Sequence, residues 1–258
     1  RDLHLSLRRQ RQMCIRDRSI YWPRGKVLGG SSSINAMVYV RGHKQDYEEW
    51  NAVAPGWGWA NVEPMFRRME NWLGQPREER GRAGPLGITD VTDQVHPVTR
   101  AYIKAASEAG IPFNPDYNSG DMEGACFFQI TTKDGIRSST ANAYLKTVAQ
   151  RSNLCILTGA FVTSVLFDGK IATGVSYVRG GKTLIAEAKR EVILCGGAIN
   201  TPKLLQLSGI GAAPLLNEMG IPVVIDQPHV GQNLIDHVGL ELIYGAKVPT
   251  LNQLLRPL

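Results

Sequence analysis

The feature that most constrains the fold is a change in the pattern of apolar residues near Asn153. Before this point, residues 43–72 and 97–109 have the composition and spacing of helices. After it, β-branched runs are separated by Asp168-Gly169 and Gly180-Gly181. Because such dipeptides favour two-residue hairpin loops, they predict antiparallel strands on either side. The sequence therefore predicts a mostly helical region, roughly 43–150, followed by a sheet-rich one.

Residues 43–72 are expected to form two helices separated by the turn Pro55-Gly56-Trp57-Gly58. Asn61 is the expected N-cap of the second helix, and Pro64 falls within its first turn. Four tryptophans here are candidates for a ligand pocket, although anchoring a helical hairpin is the commoner role: Trp50, Trp57, Trp59 and Trp72. Residues 74–90 are rich in glycine, proline and charge, which predicts an exposed loop.

A strand–glycine–helix unit is predicted at the end of the sheet-rich part. Residues 191–195 form a short apolar run, and Gly196-Gly197 allows the chain to turn tightly. Asn200 or Thr201 is the expected N-cap of the next helix, with Pro202 at its first position. A helix N-terminus of this kind favours an anionic group such as a phosphate. From these residues alone, a purely structural turn is the commoner explanation.

Composition and charge exclude several classes of protein. Hydrophobic residues make up 43% of the chain and charged residues 20%, which is typical of a folded protein. No apolar run is long enough for a transmembrane helix, and no signal peptide is recognisable. The net charge of +6 arises in residues 1–26, since residues 27–258 carry 21 basic and 21 acidic residues. A nucleic-acid binder needs a basic face on its folded part, so we expect no nucleic-acid partner.

Residues 1–18 differ in character from everything that follows. They are dense in arginine and show neither helical nor strand periodicity. The stretch QMCIRDRS resembles a translated sequencing adapter joined to a genuine reading frame. We therefore interpret residues 1–18 as a non-native or disordered arm and exclude them from fold reasoning. On this interpretation the native protein begins upstream and the chain is a fragment.

The cysteines show no metal-binding or disulfide pattern. None of the four, Cys14, Cys126, Cys155 and Cys195, forms a CxxC pair. Cys155 and Cys195 lie within apolar, strand-like runs, where a free thiol behaves as a small hydrophobe. The sequence therefore favours buried, reduced thiols of a cytoplasmic protein over disulfides or zinc, and no metal site is expected.

Two separated segments carry a resemblance to a known family. GKVLGGSSSINAMVYVRG, residues 25–42, and GGAINTPKLLQLSGIG, residues 196–211, resemble signature sequences of the glucose–methanol–choline (GMC) oxidoreductases, flavoenzymes that oxidise alcohols. Three further motifs resemble the family pattern in the expected order: Asp46-Tyr47 with Trp50, Arg137–Leu145 (R-S-x-x-A-x-A-Y-L) and Val230–His237 (V-G-x-N-L-x-D-H). The resemblance covers about residues 20–245 and is greatest to the choline dehydrogenase-like branch.

The resemblance implies an α/β (α+β mixed) fold, namely the two-domain FAD-binding fold of the GMC oxidoreductase type, incomplete in this chain. The implied domains are an FAD-binding part at 19–42, a mainly helical lid or substrate-domain segment at 43–150, a second FAD-binding part at 151–235, and the start of the next substrate-domain segment at 236–258. The family's N-terminal G-x-G-x-x-G is absent. The catalytic histidine and its partner are expected beyond Leu258, so no catalytic residue is assigned. We expect this chain alone to bind FAD poorly and to be inactive.

The resemblance also implies which residues hold FAD. The implied cofactor-binding residues are Gly29, Gly30, Ser31, Ser32, Asn35, Ala36, Met37, Val38 and Val162. The first four would pass close to the pyrophosphate and isoalloxazine, the next four would border the flavin ring, and the last would meet the adenine through its backbone. Small residues let a backbone approach a phosphate or a flat ring, while hydroxyls and helix-start amides supply donors. Ile34 stands where some relatives carry a flavin-linked histidine, so FAD is predicted to be non-covalent.

The function implied is that of an FAD-dependent alcohol dehydrogenase or oxidase. It would convert a primary or secondary alcohol, choline-like or other, to an aldehyde or ketone by hydride transfer to flavin N5. Two alternatives stay open: a hydroxynitrile lyase-like protein, which keeps FAD in the same fold without redox chemistry, and a non-catalytic flavin-fold module. The expected partners are a small-molecule alcohol and an electron acceptor, either oxygen or quinone. The expected location is cytoplasmic, with peripheral membrane association as the alternative for a quinone acceptor.

Overall fold

The computed structural model describes residues 12–15, 18–237, 239 and 243–251. These residues form two compact units. The first contains the chain up to Leu154 together with the residues from Gly245 onward, and the second runs from Cys155 to Tyr244. Residues 19–42 cluster with the segment that follows them, and their assignment to one FAD-binding domain with residues 151–235 stays a prediction.

A β-hairpin lies at the end of the segment that lacks strand periodicity. Strand β1 (Gln12–Ile15) pairs antiparallel with β2 (Arg18–Tyr21). Backbone hydrogen bonds between two strands do not require an alternating apolar pattern, so a hairpin can form without one. Residues 1–11 and 16–17 lie outside the described part of the chain, so the interpretation of the arm as non-native stays a prediction.

The predicted helical hairpin is confirmed as α1 (Lys44–Val53) and α2 (Trp59–Met69). His43 caps α1, because its Nδ1 accepts a hydrogen bond from the amide of Gln45 at 3.1 Å. The expected N-cap of α2 is wrong: the helix follows Gly58 rather than Asn61, and Pro64 lies inside it. The turn before α2 is held instead by Asn51, whose Oδ1 accepts the amides of Gly56 and Gly58.

Three of the four tryptophans anchor this hairpin. The Tyr47 ring lies 5.8 Å from that of Trp50 and 5.6 Å from that of Trp59, measured between centroids. Trp57 in turn lies 5.9 Å from Trp50. Trp72 is separate, since it is buried in the core with Tyr39 and Ile88. The hairpin-anchoring role is therefore confirmed for Trp50, Trp57 and Trp59.

A three-stranded sheet forms where a helix end and an exposed loop were expected. Strand β3 (Glu70–Trp72) is parallel to β4 (Leu86–Asp90), and β4 is antiparallel to β5 (Gln129–Ile130). The helix prediction is wrong at 70–72. The exposed-loop prediction holds for most of residues 74–85 but is wrong at Arg80, which is 4% exposed, and at 86–90, which form β4 with Ile88 fully buried. Composition alone did not reveal the burial of Arg80, because a charged side chain is buried only where partners from other parts of the chain neutralise it.

Arg80 belongs to a buried network of polar and charged side chains that is centred on Glu70. The Glu70 carboxylate accepts hydrogen bonds from Arg41 Nη2 at 2.6 Å and from Arg80 Nε at 2.9 Å. Arg80 Nη1 also donates to Asp116 Oδ1 and to Gln129 Oε1, both at 2.9 Å. All five side chains are buried. Because each buried charge meets an opposite charge or a polar partner, the network ties four separate stretches of chain together.

The remaining elements of the first unit are short. Helix α3 (Pro97–Glu108) confirms its prediction, and His96 Nδ1 caps it by accepting the amide of Val98 at 3.2 Å. Strands β6 (Thr132–Lys133) and β7 (Ile136–Arg137) form a two-stranded hairpin. The first unit also contains 3₁₀ turns at Gly30–Ser33 and Thr92–Gln94, a π-helix at Ala141–Leu145, and the short helix α4 (Lys146–Val148). Residues 43–150 therefore combine helices with small sheets.

The second unit contains the predicted hairpins. Strands β8 (Phe161–Asp168), β9 (Ile171–Arg179) and β10 (Lys182–Glu187) form an antiparallel sheet in sequential order. The Asp168-Gly169 and Gly180-Gly181 turns are therefore confirmed. A β–α–β unit follows α5 (Gly197–Leu207) and consists of β11 (Ile210–Gly211), α6 (Ala213–Glu218) and β12 (Ile225–Asp226), its two strands parallel.

Two predicted apolar strands do not form. Residues 154–159 and 191–195 pair with no strand in the described part of the chain. Cys155 and Cys195 are consequently exposed, so the expectation that they are buried is wrong. An apolar run becomes a strand only when a partner supplies its backbone hydrogen bonds.

Helix α5 begins at Gly197, after Gly196, so the predicted start at Asn200 or Thr201 is wrong and Pro202 lies inside the helix. The buried end of the helix is fixed by Ser208, whose Oγ accepts the Val165 amide of β8 at 2.8 Å.

Among the described residues, no helix combines the length and the apolar character needed to cross a bilayer.

We predict that Glu70→Gln strongly destabilises the fold, because Glu70 lies at the centre of the buried network. This change removes the charge that neutralises two buried guanidinium groups, so we expect the free energy of unfolding to fall by about 3–5 kcal/mol. Urea unfolding followed by tryptophan fluorescence would measure it, because the Arg80 guanidinium lies 4.0 Å from the Trp72 ring centroid. The matched control is Glu108→Gln in the exposed Lys104–Glu108 pair, where we expect a change within about 0.5 kcal/mol. Equal losses in the two variants would contradict the prediction.

We predict that the fold loses stability in acid, because the pKa of Asp116 is lowered in the folded protein. Burial raises the pKa of Asp116, but hydrogen bonds from Ser119 and Gln129 and the charge of Arg80 outweigh burial, so its pKa lies below its usual value. A lowered folded-state pKa stabilises the fold above the unfolded value of about 3.9, and this stabilisation is lost as the pH falls through the folded value. We expect the free energy of unfolding to decline below about pH 4. Urea unfolding at a series of pH values should show a shallower decline in Asp116→Asn, and an unchanged slope would refute this role.

Candidate functional site

The glycine-rich segment Gly25–Asn35 forms a tight turn whose conformation requires glycine. Gly29 and Gly30 have φ angles of 87° and 55°, in the left-handed region that other residues avoid. The turn closes through a hydrogen bond from the amide of Gly30 to the carbonyl of Val27 at 2.8 Å. A 3₁₀ turn, Gly30–Ser33, follows at once. The two glycines therefore reverse the chain at the point where the resemblance implies a cofactor.

The space around each glycine differs. A Cβ on Gly29 would lie 2.4 Å from Ser33 Oγ and 3.1 Å from the amide nitrogen of Ala141, so the protein itself fills that space. A Cβ on Gly30 would meet no described protein atom within 4 Å. Gly29 therefore serves the packing of the chain, whereas Gly30 presents bare backbone to open space that a ligand can approach.

The serines of the segment divide in the same way. Ser32 Oγ donates to the carbonyl of Gly29 at 2.6 Å and accepts the amide of Thr140 at 3.0 Å, so its hydrogen bonds lie within the protein. Ser33 Oγ likewise donates to the carbonyl of Leu28 at 2.8 Å. Ser31 is exposed, and its Oγ accepts the amide of Gly25 at 3.3 Å. Ser32 and Ser33 thus donate their hydroxyl protons to protein carbonyls, whereas Ser31 can donate its hydroxyl proton to a ligand.

Arg137 holds the end of the segment, a role that the sequence did not reveal. Its Nη1 donates to the carbonyl of Ser32 at 3.2 Å, to the carbonyl of Asn35 at 2.8 Å and to Asn35 Oδ1 at 2.7 Å. No carboxylate lies within ion-pair distance of Arg137 in the described residues. The one available signal was the R-S-x-x-A-x-A-Y-L motif, which begins with this residue.

The next residues join the segment to the sheet. Met37 has a φ of 65°, which is uncommon for a residue with a side chain. Its carbonyl accepts the amide of Thr131 at 2.8 Å, and Val38 forms an antiparallel bridge with Ile130. Ala36 is exposed and Val38 is 36% exposed. The backbone from Met37 onward is therefore fixed by β5 and the residues that follow it.

The predicted residues fall into two sets. Gly29, Gly30, Ser31, Ser32 and Asn35–Val38 lie in one continuous stretch of the first unit, as the sequence order requires. Val162 lies on β8 in the second unit, opposite Tyr177 and next to a bulge in the sheet, and is 36% exposed. The structure describes each set within its own unit, and the cofactor roles of both stay predictions.

The histidines of the described residues give no base for catalysis. His43 and His96 each cap a helix through Nδ1, and His43 is also exposed. The amide of His237 donates to the carboxylate of the preceding Asp236 at 2.9 Å. No candidate general base is therefore assigned within the described part of the chain.

The arrangement fits a flat, negatively charged ligand. Gly30 exposes backbone, Ser31 exposes a hydroxyl, and Arg137 supplies a positive charge that is hydrogen-bonded to Ser32 and Asn35. Small residues and backbone donors of this kind suit a phosphate or a planar ring. The residues present therefore fit the flavin nucleotide that the sequence resemblance implies.

Comparisons with known proteins agree with this arrangement. The alcohol dehydrogenase [acceptor] of Pseudomonas putida is 45% identical over 245 residues, which cover 93% of this chain and 44% of that protein. The mitochondrial choline dehydrogenase of Homo sapiens is 46% identical over 244 residues, covering 93% and 41%. An FAD-dependent oxidoreductase of Chaetomium thermophilum superposes with a TM-score of 0.77 at 36% identity, covering 82% of this chain and 39% of that one. The chain therefore spans less than half the length of these relatives.

The sequence also matches a defined family over most of its length. The match runs from residue 10 to residue 239 and carries the description GMC oxidoreductase. It includes the glycine-rich turn, Arg137, Val162 and the N-terminus of α5. By this match, the chain belongs to the GMC oxidoreductase family.

Proposed function

We propose that the protein containing this chain is an FAD-dependent oxidoreductase that oxidises a primary or secondary alcohol to an aldehyde or ketone. The observation that carries the proposal is the Gly29–Asn35 turn, which combines left-handed glycines, open space at Gly30 and a supporting guanidinium. Relatives named alcohol dehydrogenase and choline dehydrogenase, and one named FAD-dependent oxidoreductase, support the same activity.

The proposal gives each predicted residue a place around FAD. Gly29, Gly30, Ser31 and Ser32 lie close to the pyrophosphate and isoalloxazine, and Asn35–Val38 border the flavin ring. Val162 lies at the adenine. When bound, FAD supplies the acceptor for the hydride that leaves the alcohol carbon.

Within this chain, backbone amides and the Ser31 hydroxyl orient the ligand, and the internal hydrogen bonds of Ser32 keep the turn in shape. A turn that is already formed lowers the entropic cost of binding.

The acceptor and location are further parts of the proposal. We propose that the electron acceptor of the protein is oxygen or a quinone. We also propose a cytoplasmic location, with a peripheral membrane position in the case of a quinone acceptor. A respirometric assay would decide the acceptor, because oxygen uptake with alcohol alone identifies an oxidase, whereas dependence on an added quinone identifies a dehydrogenase.

The activity predicts that alcohol bleaches the flavin. The complete protein that contains this chain is mixed anaerobically with choline and with a panel of primary and secondary alcohols, and the flavin absorbance is followed. We expect bleaching by at least one alcohol, with one equivalent of aldehyde or ketone formed for each flavin reduced. Loss of a cyanohydrin without bleaching would instead identify a hydroxynitrile lyase-like protein, and bound flavin that responds to neither would identify a non-catalytic module.

Ile34 predicts that the FAD is held without a covalent bond. An aliphatic side chain offers no nucleophilic atom for a bond to the flavin, and Ile34 directly follows the 3₁₀ turn Gly30–Ser33 of the candidate site. We expect acid precipitation of the purified protein to release all of its yellow colour into the supernatant, where mass spectrometry would identify unmodified FAD. Flavin that stays with the precipitated polypeptide would contradict this prediction.

A further inference from the structure

Arg137 contacts the proposed flavin-facing stretch through three hydrogen bonds. One nitrogen of its guanidinium, Nη1, lies within 3.2 Å of three oxygens that belong to Ser32 and Asn35. These residues are more than a hundred positions away in sequence. Hydrogen bonds from a charged donor are roughly twice as strong as neutral ones, so this contact dominates the position of the Asn35 side chain.

The contacts leave the Asn35 amide a single orientation. Its Oδ1 accepts hydrogen bonds from Arg137 Nη1 at 2.7 Å and from the Met37 amide at 3.1 Å. A flip of the amide would place the NH₂ group against these two donors and lose both bonds. The Nδ2 group therefore points away from Arg137, and within the described residues it has no hydrogen-bond partner. Asn35 itself is exposed.

The same hydrogen bonds hold the unusual backbone of Met37. A φ of 65° is strained for methionine, and such conformations persist only where the surroundings enforce them. Here the Met37 amide is bound by Asn35 Oδ1, and its carbonyl accepts both the amide and the hydroxyl of Thr131, at 2.8 and 3.2 Å. Asn35 is in turn held by Arg137, so the guanidinium controls the backbone of Met37 through one intermediate side chain.

We propose that Arg137 is a positioning residue for the cofactor: its guanidinium fixes the amide of Asn35 and, through it, the left-handed backbone of Met37, so that both face the flavin in one geometry. This inference rests on the proposed function, because it assumes that Asn35–Val38 border a flavin. It goes beyond that function by giving a role to a side chain that touches no substrate.

The test compares three arginine variants in the complete protein that contains this chain. Arg137→Gln removes the charge, Arg137→Lys keeps the charge but reaches fewer of the three oxygens, and Arg151→Gln is a control at an exposed arginine. The measurements are the dissociation constant of FAD, the positions of the flavin absorbance bands and the flavin midpoint potential.

For Arg137→Gln we expect roughly tenfold weaker FAD binding, as for the loss of one charge-assisted hydrogen bond, with shifted flavin bands and midpoint potential. Arg137→Lys should lie between this variant and the wild type. Arg151→Gln should match the wild type in every measurement.

A double-mutant cycle with Asn35→Ala tests whether Arg137 acts through Asn35. If it does, Arg137→Gln changes FAD binding and the flavin spectrum little further in the Asn35→Ala background, whereas independent roles give additive effects. Additive effects would overturn the proposal. A purely structural role would lower the unfolding temperature of Arg137→Gln while leaving the flavin bands of the folded fraction unchanged, and that result would overturn it as well.

Failure of this inference is distinguishable from failure of the proposed function. Wild-type protein that contains no flavin would refute the proposed function itself. Wild-type protein that is bleached by alcohol, together with Arg137 variants of unchanged FAD affinity, spectrum and potential, would refute only the role of Arg137. If Arg137→Gln does not fold, the same comparison is made with Arg137→Lys, and wild-type flavin properties in that variant would then overturn the proposal.

Discussion

The first unit depends on one buried carboxylate. Glu70 is fully buried between the guanidinium groups of Arg41 and Arg80, at 2.6 and 2.9 Å. Without Glu70, the buried Arg41 would have no carboxylate partner among the described residues and Arg80 would keep only Asp116, so removal of this one charge is costly. Arg80 extends the network to Asp116, so the exposed loop at residues 74–85 is anchored to the interior at Arg80 by charge pairing. A single charged residue thereby attaches this loop to the core.

The ion network also positions the candidate site. Arg80 binds the side chain of Gln129 at 2.9 Å, and the carbonyl of Gln129 accepts the amide of Tyr39 at 2.8 Å. Tyr39 directly follows the stretch that the sequence assigns to the flavin. The same β5 region binds Met37 through Thr131, and β7 supplies Arg137. The glycine-rich turn is therefore attached to a rigid core at its end, which suits a site that must hold a planar ligand in one orientation.

The sequence predicted local elements well and buried polar groups poorly. The hairpins at Asp168-Gly169 and Gly180-Gly181 and the helix 97–108 were predictable because the signals lie within a few residues. The strand Glu70–Trp72 was predicted as helix because its partner strand comes later in the chain. The run at 191–195 shows the converse, since an apolar pattern did not produce a strand where the described residues offer no partner.

The sequence by itself determined the family, the glycine positions and the order of the candidate binding residues, because these depend on residue type and local spacing. Only the tertiary structure showed that Gly29 is filled by the protein while Gly30 is open, and that Ser32 is used internally while Ser31 is exposed. Only the tertiary structure also brought Arg137 to Asn35, across 102 positions of sequence. The physical reason is that such a contact joins residues far apart in the chain. The folded structure decides which distant segments meet, and the residues near Arg137 in the sequence do not reveal its partner.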